Sequence, residues 1–442
     1  MSSRPRIVIV GGGSKAWTPK LVRDMMLAES LRDAEFVLYD VDKSAGDLTK
    51  AFLDKLGGKL GSKARIVSTD RRAVALRGAD YVIITISTGG LAAMAHDLGI
   101  PEDYGIYHTV GDTNGPGGWA RFLRNFDVFV SLAEDFNRYC PAAPVLNYTN
   151  PMATLTAVLA RLCKAPVVGL CHGLFENIEF LRRLYGVEEK DVAVRYAGLN
   201  HFFWITEARA GKVDAAADLK RRVQRQSLTD LRRIAFKDGK KWHCEVATEL
   251  FRHTGVLPYM GDRHIAECFP WYITSKANLR KYKLVRTTIA DRQKGYDWLG
   301  RRLREMVAGD IDEKFTQRSR ETAADIIDAH SQGRVFIDVG NVPNVGQIGN
   351  LPRGLVVETA VRVDRNGFSP IAFGDLPEPI RVMAERPADM FLMVVEACFR
   401  RGWPLAVQAL RADPLCSHLN CQQVEQLAGR LLKAHRKFIS AF

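Results

Sequence analysis

Arg6-Ile-Val-Ile-Val10 runs straight into Gly11-Gly12-Gly13-Ser14-Lys15-Ala16, and the architecture follows from that junction. A short continuous apolar run suits a parallel strand buried on both faces, and a GxGxxA turn behind it lets backbone approach a pyrophosphate. Thr18 and Pro19 read as the N-cap and first residue of a helix whose start faces the phosphates. A second strand, Glu35-Phe-Val-Leu-Tyr39, ends in Asp40, placed to accept the adenosine ribose hydroxyls. A carboxylate there disfavours a 2′-phosphate, so NAD is expected rather than NADP.

Gly78 to Ile86 is another apolar strand, ending in Ser87-Thr-Gly89-Gly90, and Pro144-Val-Leu-Asn147 ends in Tyr148-Thr-Asn150-Pro151. In a doubly wound sheet, ligands sit at the carboxyl ends of strands, so both polar clusters fall near the nicotinamide position. Thr109 to Gly118 reads as a turn-rich binding loop or lid, or as a plain surface connection. After His201 the alternation becomes irregular. An extended hairpin is expected from Ile348 to Thr359, a turn at Asn366-Gly367, and amphipathic helices over 388–401 and 422–438. The fold expected is α/β: an N-terminal Rossmann-like doubly wound sheet over 1–200, then a C-terminal α/β substrate and oligomerisation domain over 201–442, lactate/malate dehydrogenase-like.

The 442 residues are 47% hydrophobic and 26% charged, which is globular composition. Lys plus Arg exceed Asp plus Glu by 63 to 50, giving +13. The excess is diffuse; its densest run, Arg221, Arg222, Arg225, Arg232, Arg233, Lys237, Lys240 and Lys241, reads most simply as a solvated helical face. No nucleic-acid module accompanies it, so an anionic small substrate is expected and a nucleic-acid partner is not. Eight cysteines without a CxxC pair suit reduced thiols. No signal peptide or membrane-spanning run is apparent, so a cytoplasmic location with no membrane partner is expected.

Cys171, in Gly169-Leu-Cys-His172-Gly173, and His201, in Gly198-Leu-Asn200-His201, are one soft and one borderline donor. Together they would half-fill the shell of a divalent ion such as Mn²⁺, Fe²⁺, Co²⁺, Ni²⁺ or Zn²⁺. On spacing alone, a buried cysteine and a hydrogen-bonded core histidine explain them better. Gly261-Asp262-Arg263-His264 to Glu267 likewise reads alone as a charged loop.

Taken in order, Gly11 to Ser14, Val110 to Gly118, Asn147 to Pro151, Gly169 to His172, Gly198 to His201, Gly261-Asp262 and Ile348-Gly-Asn-Leu-Pro352 resemble the NAD-dependent family 4 glycoside hydrolases. The resemblance continues through Val395-Glu-Ala-Cys398 and Ala409 to Pro414, and so spans essentially the whole chain. It implies a cycle without net redox change: hydride leaves C3 of the sugar for NAD⁺, a base takes the C2 proton, the C1 substituent departs, water adds, and the hydride returns. It also implies Mn²⁺ on Cys171 and His201, chelating O2 and O3. Gly11, Gly12, Gly13, Ser14, Lys15, Asp40 and Asn150 become the expected cofactor contacts, with Asn150 also orienting sugar hydroxyls. Asp262 becomes the candidate C2 base, unless it pairs with Arg263 or caps a helix. His172 becomes a general acid or a positional neighbour, Asp112 a substrate contact, and Arg263 a bidentate reader of a carboxylate.

Cys171-His172-Gly173 resembles the α-glucuronidase type within the family, and Met94 stands where phospho-sugar members carry arginine. Cys268 follows Glu267 where many members have tyrosine, so that rim of the pocket is expected to differ. The substrate expected is therefore an α-glucuronide, ahead of an α-galacturonide, α-glucoside or α-galactoside, with homodimers or homotetramers. A net sugar or hydroxy-acid dehydrogenase and an inactive NAD-sensing scaffold are the readings from other classes.

Overall fold

A computed structural model describes residues 4–237 and 243–442. Six parallel strands, in spatial order Arg65–Thr69, Glu35–Tyr39, Arg6–Val10, Tyr81–Ile84, Val145–Asn147 and Val167–Gly169, form the nucleotide-binding half. Strands of the second half extend the same sheet antiparallel: Phe336–Pro343, Val356–Asp364, Val192–Leu199, Phe202–Ala210 and Leu257–Pro258. Residues 200 and 201, where the sequence reading divides the chain, form the turn of the Val192–Leu199/Phe202–Ala210 hairpin. Both halves therefore share one sheet.

The buried parallel strands show why continuous apolar runs were needed: Ile7, Val8 and Ile9 are each fully buried, with helices packed on both faces. At the carboxyl end the chain turns with no room for side chains. A Cβ on Gly12 would stand 2.6 Å from the Leu38 backbone, and Gly11, at φ +91°, would place one 2.7 Å from the Thr85 carbonyl oxygen.

Several boundaries differ from expectation. The first helix is Thr18–Met26, with Thr18 inside it and Trp17 at the cap, so Pro19 takes the second helical position. Gly115–Tyr139 is a single long helix whose first turn absorbs Gly115 to Gly118; a Cβ on Gly118 would lie 2.1 Å from the Thr113 carbonyl oxygen. Residues 344–355 are a loop rather than a hairpin arm, because the buried Asn344 amide donates to the Ile348 and Leu351 carbonyls, each at 2.9 Å. The hairpin instead pairs Val356–Asp364 with Gly367–Pro370, turning at Arg365-Asn366. The expected helix over 388–401 is Glu378–Phe399, which carries Pro387 inside it, and the last long helix is Cys421–His435. In the basic run Arg221 and Arg222 pair with Asp218, and Arg233 with Asp230; Lys240 and Lys241 lie outside the described residues. No helix among the described residues is long and apolar enough to cross a membrane.

Candidate active site

The glycine turn is clamped by the acid at the end of the second strand. Asp40 Oδ2 accepts from the Gly13 N–H at 2.8 Å and Oδ1 from the Asp42 N–H at 2.9 Å. A half-buried carboxylate retains acceptor capacity beyond two bonds, so it fixes the loop and still presents oxygen to a ribose. Ser14 N donates to the Gly11 carbonyl, and Ser14 Oγ accepts from Trp17 N at 3.4 Å. The Lys15 ammonium reaches toward Gly300 of the Ile289–Ala308 helix, where an added Cβ would meet it at 3.1 Å.

Cys171 and His201 meet. The strand Val167–Gly169 ends two residues before the thiol, and the Asn200-His201 turn returns the imidazole to it, with Sγ 3.3 Å from Nε2. His201 holds a left-handed backbone, φ 62°, a conformation that costs a β-carbon residue about 1–2 kcal/mol. Thr113 gives its hydroxyl proton to Asp112 Oδ1 at 2.9 Å, so its oxygen is free to accept from His201 Nδ1 at 3.1 Å. That network assigns the lone pair to Nε2, on the side of the sulphur.

Asp112 and His264 complete the cluster. Ligand atoms of Asp112, His201 and His264 all lie within 4.8 Å of one another, and the rings of His201 and His264 are 4.1 Å apart. The two imidazoles and the carboxylate of this group, with the Cys171 sulphur 3.3 Å from His201 Nε2 but outside the group, are donors that suit a borderline divalent ion. Sequence reasoning missed His264 as a member, although it stands two residues after Asp262; one strand and two loops must converge before its ring faces His201. Burial, then the charge on His264, drives His201 down to about 3, so the ring is neutral and able to ligate. Burial pushes the Cys171 thiol well up, so the thiolate requires a cation beside it. Burial also opposes ionisation of Asp112, but the positive surroundings, Arg121 among them, and the hydrogen bond from Thr113 outweigh it and hold the carboxyl well below the usual range.

Asn150 sits beside this cluster. Its Nδ2 donates to Asp112 Oδ2 at 3.2 Å and its carbonyl accepts from Arg121 Nε at 2.9 Å, while Oδ1 is buried without a protein partner. An orphaned acceptor at the carboxyl edge of the sheet is what a hydroxyl-bearing ligand would satisfy.

The loop carrying Asp112 is built by groups the sequence does not flag. Glu267, side chain 1% exposed, accepts at Oε1 from the N–H groups of Thr109 (2.8 Å), Val110 (2.7 Å) and Gly111 (2.9 Å), and His108 Nδ1 lies 3.2 Å away. His108 Nε2 accepts from Gly117 N, and Asp413 accepts from Gly115 N and Leu415 N.

The remaining expected residues are placed less directly. Asp262 is buried, and its two oxygens accept from Val246 N (2.8 Å) and Ala247 N (3.0 Å) at the start of the Glu245–Thr254 helix. Burial raises its carboxyl to about 8, against the pull of those amides. Arg263 donates through Nη2 to the Thr109 carbonyl (3.1 Å) and the Thr287 hydroxyl, and its Nε is buried without a partner. Burial, then the exposed Arg292, lowers the pKa of Arg263, and burial, then Arg263, His172 and Arg292, lowers that of His264 against the pull of Asp112. His172 is half-exposed, its Nδ1 3.8 Å from Glu321 Oε1 and its ring 5.8 Å from Trp17. Met94 is buried on the Gly90–Glu102 helix. Cys268 is buried and accepts from Asn114 Nδ2 at 3.3 Å.

Fold and site together define a Rossmann-type protein in which two histidines, a carboxylate and a thiol gather. The chain belongs to the family 4 glycosyl hydrolases: the family's sequence model matches residues 6–187 and the model of its C-terminal domain matches 196–416. An α-galactosidase of Bacillus subtilis is 32% identical, covering 99% of each chain. An α-galacturonidase of Thermoanaerobacter italicus is 29% identical, covering 99% of this chain and 98% of that one. Among solved structures, a Bacillus subtilis protein described as a glucosidase is similar at 30% identity and TM-score 0.87, over 97% of this chain and 100% of that one. A 6-phospho-α-glucosidase from gut microorganisms, solved with NAD and Mn²⁺, shares the fold at 19% identity and TM-score 0.81 over 99% of each chain.

Proposed function

We propose that this glycosidase hydrolyses α-glucuronides with NAD⁺ and Mn²⁺, the metal held by Cys171 and His201. The observation that carries the proposal is the Cys171–His201 contact beside Asp112, His264 and the unpartnered Asn150 Oδ1. Bound there, NAD⁺ would supply a hydride acceptor for C3 and the metal a positive charge opposite developing enediolate oxygens. Gly11 to Lys15 and Asp40 would seat the dinucleotide, and Asn150 would orient a sugar hydroxyl.

Asp262 is the proposed C2 base. Its raised carboxyl, near 8, suits proton exchange around neutrality, and to act it must release the Val246 or the Ala247 amide. Because the free acid is protonated below that value, C2 proton removal gains as pH rises toward 8. His172, half-exposed at the mouth, is placed to meet the leaving group or a substrate oxygen. Homodimers or homotetramers are proposed on the resemblance alone.

Uronate preference rests on the Cys171-His172-Gly173 sequence and on the cationic rim formed by Arg263 and Arg292. A carboxylate at the sugar's C6 would satisfy the idle Arg263 Nε and relieve the repulsion between the two arginines. Nitrophenyl α-glucuronide, α-galacturonide and α-glucoside, compared at equal enzyme, test this. The glucuronide should lead in kcat/KM, and Arg263→Lys should reduce that lead at least tenfold, about 1.4 kcal/mol. A faster neutral glucoside would defeat the uronate reading while leaving glycoside hydrolysis intact.

A further inference from the structure

Beside the metal pair, four strands carry a row in register whose two inner members are polar. Gly169 faces Asn341, Asn341 faces Glu358, and Glu358 faces Gly198. Residues paired in register point to one face of a sheet, and positions two further along return to that face. Cys171 lies two residues past Gly169 and Asn200 two past Gly198, each just beyond the end of its strand. The glycine leaves room for its neighbour: a Cβ on Gly169 would come 3.1 Å from the Asn341 Cβ.

Asn200, Asn341 and Glu358 are fully buried. Both amides donate to one carboxylate oxygen, Asn200 Nδ2 at 2.8 Å and Asn341 Nδ2 at 3.1 Å to Glu358 Oε2. The backbone of Asn200 runs directly into His201, whose Nε2 meets the Cys171 sulphur at 3.3 Å. The carboxyl of Glu358 thus holds the side chain of the residue immediately before His201. Burying a carboxylate is expensive, and here no cation within the network compensates it. A pairing so costly, placed beside a strained turn, points to a task beyond cohesion of the sheet.

We propose that Glu358 is a positioning residue for the metal pair: by gripping the Asn200 and Asn341 amides it fixes the Asn200-His201 turn and so holds the His201 imidazole against the Cys171 sulphur. This rests on the reading of Cys171 and His201 as metal ligands and not on the sugar hydrolysed.

Direct titration of Mn²⁺, read from the electron paramagnetic resonance signal of the free ion, tests it alongside NAD⁺ affinity from tryptophan fluorescence. Glu358→Ala should raise the Mn²⁺ dissociation constant about 10- to 100-fold with the NAD⁺ constant within a factor of about two. Glu358→Gln, whose amide oxygen can take the place of Oε2, should restore Mn²⁺ affinity to within roughly threefold of the parent. Unchanged Mn²⁺ binding in Glu358→Ala overturns the proposal. So does equal loss of Mn²⁺ and NAD⁺ binding, the mark of general disruption, and so does a Glu358→Gln variant as weak as the alanine. If Glu358→Ala does not fold, Asn200→Ser cuts the same link from its other end and must weaken Mn²⁺ in the same range. A Cys171→Ala control that still binds Mn²⁺ at parental affinity would instead show that the ligand reading has failed, separately from the role of Glu358.

Discussion

Cys171→Ala should lose Mn²⁺ affinity by at least about 100-fold and glycosidase turnover by roughly 1,000-fold, while binding NAD⁺ as before. The sulphur is the single soft donor in the cluster, 3.3 Å from His201 Nε2. Asp112 and His264 remain after its removal, so some residual binding of harder ions is expected. Turnover suffers more than binding, because a displaced ion no longer lies opposite the oxygens that gain charge as the C2 proton leaves. NAD⁺ binding is spared because Asp40 and the glycine turn hold each other without reference to the thiol. Isothermal titration with Mn²⁺ and with NAD⁺ measures both halves. Parental Mn²⁺ affinity in the alanine variant would remove Cys171 from the ligand set.

Glu267→Ala should destabilise the protein by about 3–6 kcal/mol and abolish activity, although Glu267 is assigned no contact with substrate. The substitution strands the N–H groups of Thr109, Val110 and Gly111, all bound to Oε1 at 2.9 Å or less. Each buried donor left unsatisfied costs about 1–3 kcal/mol. The Thr109 hydroxyl and His108 Nδ1 lose the same acceptor, and water entering the gap recovers part of the loss. With its anchor gone the loop no longer presents Asp112 and Thr113 to His201, so activity falls further than stability alone implies. Urea unfolding compared with the parent gives the first quantity. A loss below about 1 kcal/mol would mean that the loop is held by other groups.

The nucleotide half was legible because its signals are local. A strand, a glycine turn and an acid at the next strand end follow one another in the chain, and the steric reasons for Gly11 and Gly12 operate within that unit. The meeting of Cys171 with His201 was legible only through the resemblance, since it depends on a hairpin turn that folds back across the sheet. Glu267 and Glu358 were not legible as structural centres. Their partners His108, Thr109, Val110, Gly111 and Asn200 lie 156 to 159 positions away, distances over which a sequence pattern carries no register. Asp262 shows the opposite difficulty: the resemblance made it the candidate base, while the alternative that it caps a helix is met by its bonds to the Val246 and Ala247 amides in the first turn of Glu245–Thr254. The helix expected over 388–401 starts instead at Glu378 and runs through Pro387, a residue type that usually ends a helix.

The most direct test is hydrolysis of nitrophenyl α-glucuronide in D₂O with Mn²⁺ and NAD⁺, following deuterium at C2 of the released sugar by NMR and absorbance at 340 nm. Transient oxidation at C3 requires C2 exchange, so the sugar should carry deuterium at C2, NADH should not accumulate, and Asp262→Asn should lower turnover about 100- to 10,000-fold. Turnover that retains the C2 hydrogen in full and needs no NAD⁺ would contradict it.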